Sequence, residues 1–202
     1  MASKLYFKYG AMGSSKTAQA LITKFNYEER NMKVLFLKPS TDDRDGADVV
    51  RSRVGLEAKA IVVPPELNLY DFYKEEHKDC QVIIVDECQF LTPAQVDQLA
   101  DITIDFNIAV LCFGLRTDFL THFFPGSQRL MELAESIAEI KMVCDCGAKA
   151  TINARIDGEG NVVFEGDQVC IGGNDRYRSM CRKCWAKAKK EYEAKQKKLE
   201  EK

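Results

Sequence analysis

Two groups of residues in this chain have the types and spacing needed for chemistry on a phosphoryl group. Gly10-Ala11-Met12-Gly13-Ser14-Ser15-Lys16-Thr17 follows the phosphate-loop pattern Gly-x-x-x-x-Gly-Lys-Ser/Thr, except that Ser15 stands at the second glycine. In such a loop the backbone N–H groups and the following helix dipole attract anions. A lysine at position 16 reaches the outer phosphates of a nucleoside triphosphate, and the Thr17 hydroxyl ligates Mg²⁺. The second group is Asp86-Glu87, directly after the apolar run Val82-Ile83-Ile84-Val85. One carboxylate there can hold the Mg²⁺ shell, and the other can orient or deprotonate a nucleophile. The plainer readings are a Gly/Ser turn with a chance Lys-Thr, and an acidic pair capping Gln89–Leu91.

A third group is made of cysteine. Of eight cysteines, Cys144, Cys146, Cys181 and Cys184 fall in two close pairs, Cys144-Asp145-Cys146 and Cys181-Arg182-Lys183-Cys184. The second pair has zinc-knuckle spacing and the first is one residue tighter. The pairs are 35 positions apart, more than a compact ribbon normally uses. Four thiolates leave no open coordination position, so structural Zn²⁺ is expected, stapling a unit too small to build its own core. Cys80, Cys88 and Cys112 are expected to pack as small hydrophobes.

Elements to position these groups are visible in the pattern. Leu5–Tyr9, Val34–Leu37, Ile61–Val63, Val82–Val85 and Ala109–Phe113 read as buried strands. Helical spacing predicts helices around Gln19–Arg30, Glu66–Lys78, Pro93–Asp105 and Ser127–Ala138, with Thr92 as cap and Pro93 at the first helical position. Ile140–Val143 is expected to be a last strand. Strands alternating with helices imply an α/β fold, a parallel sheet with helices on both faces. Ligands then gather at the carboxyl ends of the strands, which places Asp86 and Glu87 beside the phosphate loop. From Cys144 glycines and turn residues crowd in, with a turn expected at Asp157–Asn161 and a short strand at Val162–Phe164. The expected division is residues 1–143 as a nucleotide-binding domain, 144–190 as a zinc-binding unit, and 191–202 as a charged, frayed tail.

The whole chain narrows the class. With 202 residues, 46% hydrophobic and 30% charged, it has the composition of an ordinary soluble protein. Its net charge of −2 offers no basic groove to track nucleic acid or to hold an anionic membrane. No leader or membrane-spanning run is read, so a cytoplasmic location is expected. The Asp86-Glu87-Cys88-Gln89 run also suits a motor ATPase or helicase, but such enzymes need a second domain of similar size. Length and charge favour a kinase of a small hydroxyl substrate. A nucleotide-binding regulator and a small zinc-ribbon ATPase acting on nucleic acid are the alternatives from other classes.

Longer segments carry a resemblance. Val85-Asp86-Glu87-Cys88-Gln89-Phe90, Cys112-Phe113-Gly114-Leu115-Arg116-Thr117-Asp118-Phe119 and Val169-Cys170-Ile171-Gly172-Gly173-Asn174-Asp175-Arg176-Tyr177, in that order and spacing, resemble the type II, zinc-containing thymidine kinases, most closely the bacterial branch. Tyr27-Glu28-Glu29-Arg30 and Asp42-Asp43-Arg44 add to the match, which runs to about Lys190. The resemblance implies a RecA-like phosphate-loop fold with a small lasso domain. It also implies ATP-dependent phosphorylation of the 5′-hydroxyl of thymidine, giving dTMP for nucleoside salvage. Glu87 then corresponds to the general base, Asp86 to the Mg²⁺ shell, and Lys16 and Thr17 to the phosphate and Mg²⁺ ligands. Asp42 and Arg44 match a phosphate-side segment. Met12, Phe90, Leu115 and Phe119 match the pocket around the thymine ring.

Main-chain groups near Cys170, Ile171 and Gly172 would hold the base, with Tyr177 alongside and Asn153 close to the 5-methyl group. Such a site is expected to reject cytidine, whose exocyclic donor would meet another donor. A homotetramer and feedback inhibition by dTTP are inherited expectations, with neither nucleic acid nor membrane as a partner. Three positions depart from the family pattern: Ser15 for glycine, the tight Cys144–Cys146 pair, and Cys184 where several relatives have histidine.

Overall fold

The computed structural model describes residues 3–41, 48–170 and 176–200. Six strands form a parallel sheet in the order β5-β2-β6-β7-β1-β8: β1 (Leu5–Tyr9), β2 (Val34–Pro39), β5 (Ile61–Val63), β6 (Val82–Val85), β7 (Ala109–Gly114) and β8 (Ser136–Glu139). The apolar strands alternate their side chains between two cores, as the period of two requires. Leu35, Leu37, Ile83 and Val85 face one layer, with Val96, Leu99 and Ile102 of α3 (Pro93–Asp105), Leu130 of α4 (Pro125–Leu133) and Leu69 of α2 (Leu69–Phe72). Phe36, Val82, Ile84, Leu111 and Phe113 face the other, with Ala20 and Leu21 of α1 (Lys16–Glu28). All four β6 residues are buried, which explains a run with no polar face.

Several expected elements appear with shifted bounds. The capping box at Thr92 is complete: its side chain accepts from Gln95 N–H, and the Gln95 side chain accepts from Thr92 N–H. α2 runs on into a π-turn at Tyr73–His77 within the expected Glu66–Lys78 helix. The helix expected over Ser127–Ala138 ends at Leu133, and Ser136–Glu139 is the outermost strand of the sheet instead. Met142–Val143, expected to end the main sheet, is β9, which pairs antiparallel with β10 (Lys149–Ala150) in a separate ribbon. A hairpin the sequence reading missed, β3 (Val49–Arg51) with β4 (Glu57–Lys59), lies against α1.

The C-terminal unit is the β9–β10 ribbon, a three-stranded sheet and a helix. The sheet has the order β12-β11-β13, with β11 (Ile152–Ile156), β12 (Val162–Val163) and β13 (Tyr177–Met180). The turn before β12 is organised by Asp157, whose Oδ1 accepts from Glu159 N–H and Asn161 N–H, both at 2.9 Å. α5 (Arg182–Glu200) is one continuous helix through the boundary expected at 190. Its Trp185 and Tyr192 pack on Phe164 at centroid distances of 5.5 and 5.2 Å.

Candidate phosphoryl-transfer site

Because the main sheet is parallel, β1, β6 and β7 all present their carboxyl ends to one side. The loop after β1 carries Gly10–Ser15, β6 delivers Asp86 and Glu87, and β7, lying between them, delivers Leu115–Phe119. A cavity of about 460 Å³ opens there. Of the expected residues it is lined by Met12, Gly13, Ser15, Lys16, Thr17, Asp86, Glu87, Phe90, Leu115, Phe119, Asn153, Cys170 and Tyr177. Gly10, Ala11 and Ser14 sit behind this surface and shape the loop. Asp42, Arg44, Ile171 and Gly172 lie outside the described residues.

The loop geometry explains its glycines. A Cβ on Gly10 would come within 2.4 Å of both the Ile140 carbonyl and Ser14 Oγ, and Gly13 has φ +79°. Ser15 also adopts a left-handed conformation, φ 64° and ψ 27°. The pattern's glycine is thus a backbone requirement, and Ser15 meets it at a cost of about 1–2 kcal/mol. Ser15→Gly should remove that strain but add about 0.5–1 kcal/mol of unfolded-chain entropy. We therefore expect a slight rise in melting temperature and a nucleoside-triphosphate affinity within about threefold of the parent, a span of well under 1 kcal/mol. A gain in activity of orders of magnitude would show instead that the natural loop is impaired.

Lys16 is buried, and its Nζ donates to the Gly10 and Ala11 carbonyls at 3.0 Å each, which folds the ammonium back over the loop. Asp86 is buried as well. Burial pushes its carboxyl up to about 7, the neighbouring Glu87 adds to the rise, and a hydrogen bond with Thr17 and the charge of Lys16 oppose it. A carboxylate so desolvated, bonded to a threonine hydroxyl, suits a divalent cation.

Glu87 has a left-handed backbone too, φ 51° and ψ 38°. For a non-glycine residue that conformation costs about 1–3 kcal/mol and is found where a side chain must be aimed. The aim is held by a residue not singled out from sequence. Gln89, itself buried, donates from Nε2 to Glu87 Oε2 at 2.5 Å and accepts at Oε1 from Leu115 N–H at 2.9 Å. Ser127 Oγ in turn donates to the Leu115 carbonyl at 2.5 Å. Gly114 is needed beside this amide, since a Cβ there would lie 2.5 Å from Gln89 Oε1. Gln89→Ala should free Glu87 and leave Leu115 N–H unpaired, lowering kcat about 10- to 100-fold, the effect of about 1–3 kcal/mol. The KM for the phosphoryl acceptor should change by less, which steady-state kinetics would separate.

The apolar end of the cavity is equally tied down. Phe119 is buried, with the Arg155 guanidinium 3.8 Å from its ring centroid. Arg155 Nη2 donates to Tyr177 Oη at 3.0 Å, and that hydroxyl donates to the Cys170 carbonyl at 2.9 Å. Asp118 accepts from Leu120 N–H and His122 N–H at Oδ1 and from Gln168 Nε2 at Oδ2, all at 2.9 Å. Phe90 meets Phe124 edge to face at 5.8 Å. Asp118 stands within the Cys112–Phe119 segment, but Arg155 and Gln168 lie in no motif, and their roles depend on contacts far apart in sequence, 22 positions for Arg155 with Tyr177 and 50 for Gln168 with Asp118.

The four paired cysteines converge. Their Sγ atoms all lie within 4.8 Å of one another, and Cys146 and Cys181 are 3.6 Å apart. A tetrahedral Zn²⁺ with bonds of about 2.3 Å needs sulfur separations of about 3.8 Å, so the set fits zinc with small adjustment. The Cys184 backbone N–H, 3.4 Å from Cys181 Sγ, is the main cause that draws that thiol down to about 7, while hydrogen bonds with Cys146 and Cys181 push the Cys184 thiol up to about 12, so the four sulfurs share protons when no cation holds them.

A phosphate loop at the head of α1, an acidic pair at the tip of β6 and one cavity joining them define a phosphate-loop nucleotide-binding enzyme. The thymidine kinase family matches residues 3–185, and the chain belongs to that family. A thymidine kinase of Shewanella oneidensis is 45% identical over 185 residues, covering 90% of this chain and 95% of that one. One of Vibrio vulnificus is 44% identical over 190 residues (92% and 98%), and one of enterobacteria phage T4 is 44% identical over 185 (91% and 95%). Among solved structures, the Pif1 helicase from Candida albicans is 15% identical with a TM-score of 0.40, covering 69% of this chain and 36% of that one. Among the described residues no helix is long and apolar enough to cross a membrane.

Proposed function

We propose that this enzyme transfers the γ-phosphoryl group of ATP to the 5′-hydroxyl of thymidine, giving dTMP. The observation that carries the reading is that the phosphate loop, Asp86-Glu87 and an aromatic wall line one cavity. Family membership supplies the nucleoside. ATP lies with its phosphates along Gly13–Thr17, where Lys16 can exchange its two carbonyl partners for phosphate oxygens. Thr17 and Asp86 would hold Mg²⁺, which when bound neutralises charge on the phosphates. The base lies against Met12, Phe90, Leu115, Phe119 and Tyr177, with Asn153 and the Cys170 backbone at its edge.

Glu87 accepts the proton of the 5′-hydroxyl as the oxygen attacks phosphorus, held for that role by Gln89. Enclosure by Gln168, Val169, Cys170 and Tyr177 keeps water from competing for the phosphoryl group. Inhibition by dTTP, a homotetramer and a cytoplasmic location belong to the same proposal through the family.

A coupled assay with ATP and each deoxynucleoside tests it. ATP consumption should track added thymidine mole for mole and stay near background with deoxycytidine. Consumption without any nucleoside would favour an ATPase, and none with any nucleoside would favour a regulator that only binds.

A further inference from the structure

Met12 is the one phosphate-loop residue held at both backbone polar groups by side chains of the C-terminal unit, among the described residues. Its N–H donates to Asn153 Oδ1 at 2.8 Å, and its carbonyl accepts from Ser179 Oγ at 2.5 Å. Asn153 and Ser179 are direct partners on neighbouring antiparallel strands, β11 and β13. Cross-strand partners present their side chains on the same face, so the two form a fork that closes on Met12 much as a neighbouring strand would. Asn153 Nδ2 also donates to the Thr117 carbonyl at 3.1 Å, which ties the same rung to the loop after β7. One turn of chain separates this grip from Lys16 and Thr17.

We propose that Ser179 is a positioning residue which, through Met12, couples the nucleoside-binding C-terminal unit to the phosphate loop, so that nucleoside and nucleotide bind cooperatively. The inference rests on the reading that ATP occupies the phosphate loop and thymidine the aromatic end. Binding of thymidine against Tyr177 and Cys170 steadies β11 and β13. Those strands fix Met12 and thereby the backbone N–H groups that follow it. Linkage makes the effect reciprocal: ATP must tighten thymidine by the same factor. Ser179 does not itself line the cavity, so its removal changes the coupling without deleting a ligand contact.

The test compares Ser179→Thr with Ser179→Val, two side chains of one shape and high strand propensity that differ in the hydroxyl. Calorimetry measures the Kd of a non-hydrolysable ATP analogue with Mg²⁺, with and without saturating thymidine. Wild type and Ser179→Thr should show thymidine tightening the analogue several-fold, while Ser179→Val loses about fivefold of that factor, the effect of one hydrogen bond. Melting temperatures of the two variants should agree within about 2 °C, the lower end of the shift that a fivefold change in the folding constant gives a chain of this size. Equal coupling in Ser179→Val and Ser179→Thr would overturn the proposal. So would a loss of coupling in both that followed a common fall in stability. Failure of wild type to bind the analogue or thymidine at all would instead overturn the functional reading beneath it.

Discussion

Glu87→Gln should abolish thymidine phosphorylation while leaving nucleotide binding nearly intact. A positioned base contributes about 10²–10⁴-fold to rate, and the amide cannot accept the hydroxyl proton. The substitution keeps size and shape. The new side chain can still offer its oxygen to Gln89 Nε2, so the strained backbone at residue 87 and the neighbouring Leu115 loop keep their geometry. Stopped turnover with an ATP-analogue Kd within about threefold of wild type, under 1 kcal/mol, is the expected pair of results. Turnover near the wild-type level would remove Glu87 as the base.

Stripping the metal from the cysteine cluster should have an effect as large, by a different route. Cys144 and Cys146 sit in the turn of the β9–β10 ribbon, while Cys181 and Cys184 open α5. The two small clusters of the unit hold only Cys144, Ala150 and Cys181 in one and Ile152, Ala154 and Trp185 in the other as buried apolar residues. So little apolar burial cannot order the unit, whereas structural zinc contributes about 10–16 kcal/mol in small zinc modules. Elemental analysis should give about one zinc per chain, the number four thiolates bind. Trp185, the only tryptophan, is buried in this unit and reports its state directly. Chelation should shift its emission to the red and lower activity at least about 100-fold, because Met12, Tyr177 and Cys170 all depend on the unit; that is about 3 kcal/mol of lost positioning. Zinc-free protein with unchanged emission and full activity would contradict this account.

The legibility of the site in sequence followed the range of the interactions involved. Motifs with fixed local spacing were readable: the phosphate loop, the acidic pair after an apolar strand, and the cysteine pairs. β6 was readable because burial on both faces demands four apolar residues in a row. β8 was not, because an outer strand pairs on one side only, and Ser136-Ile137-Ala138-Glu139 has no strand signature strong enough to end a helix. The β3–β4 hairpin was missed for a similar reason, since its strands bury only Val50. Gln89 had a signal, a neutral amide two residues after the acid, although its second partner, Leu115 N–H, is 26 positions away. Asn153 was placed at the nucleoside from the resemblance. The cavity wall includes it, and its grip on Met12, 141 positions away, has no local signature. Ser15 changes meaning as well. In sequence it is a missing glycine, and in the fold it is a left-handed residue carrying a modest strain.

On the proposed mechanism, one cavity directs the phosphoryl group to a sugar hydroxyl instead of water. The most direct measurement uses γ-labelled ATP with saturating thymidine and follows the label into dTMP and into inorganic phosphate. Nearly all label should appear in dTMP with wild type, and almost none in either product with Glu87→Gln. Label released mainly as inorganic phosphate, or transfer that persists in Glu87→Gln, would contradict it.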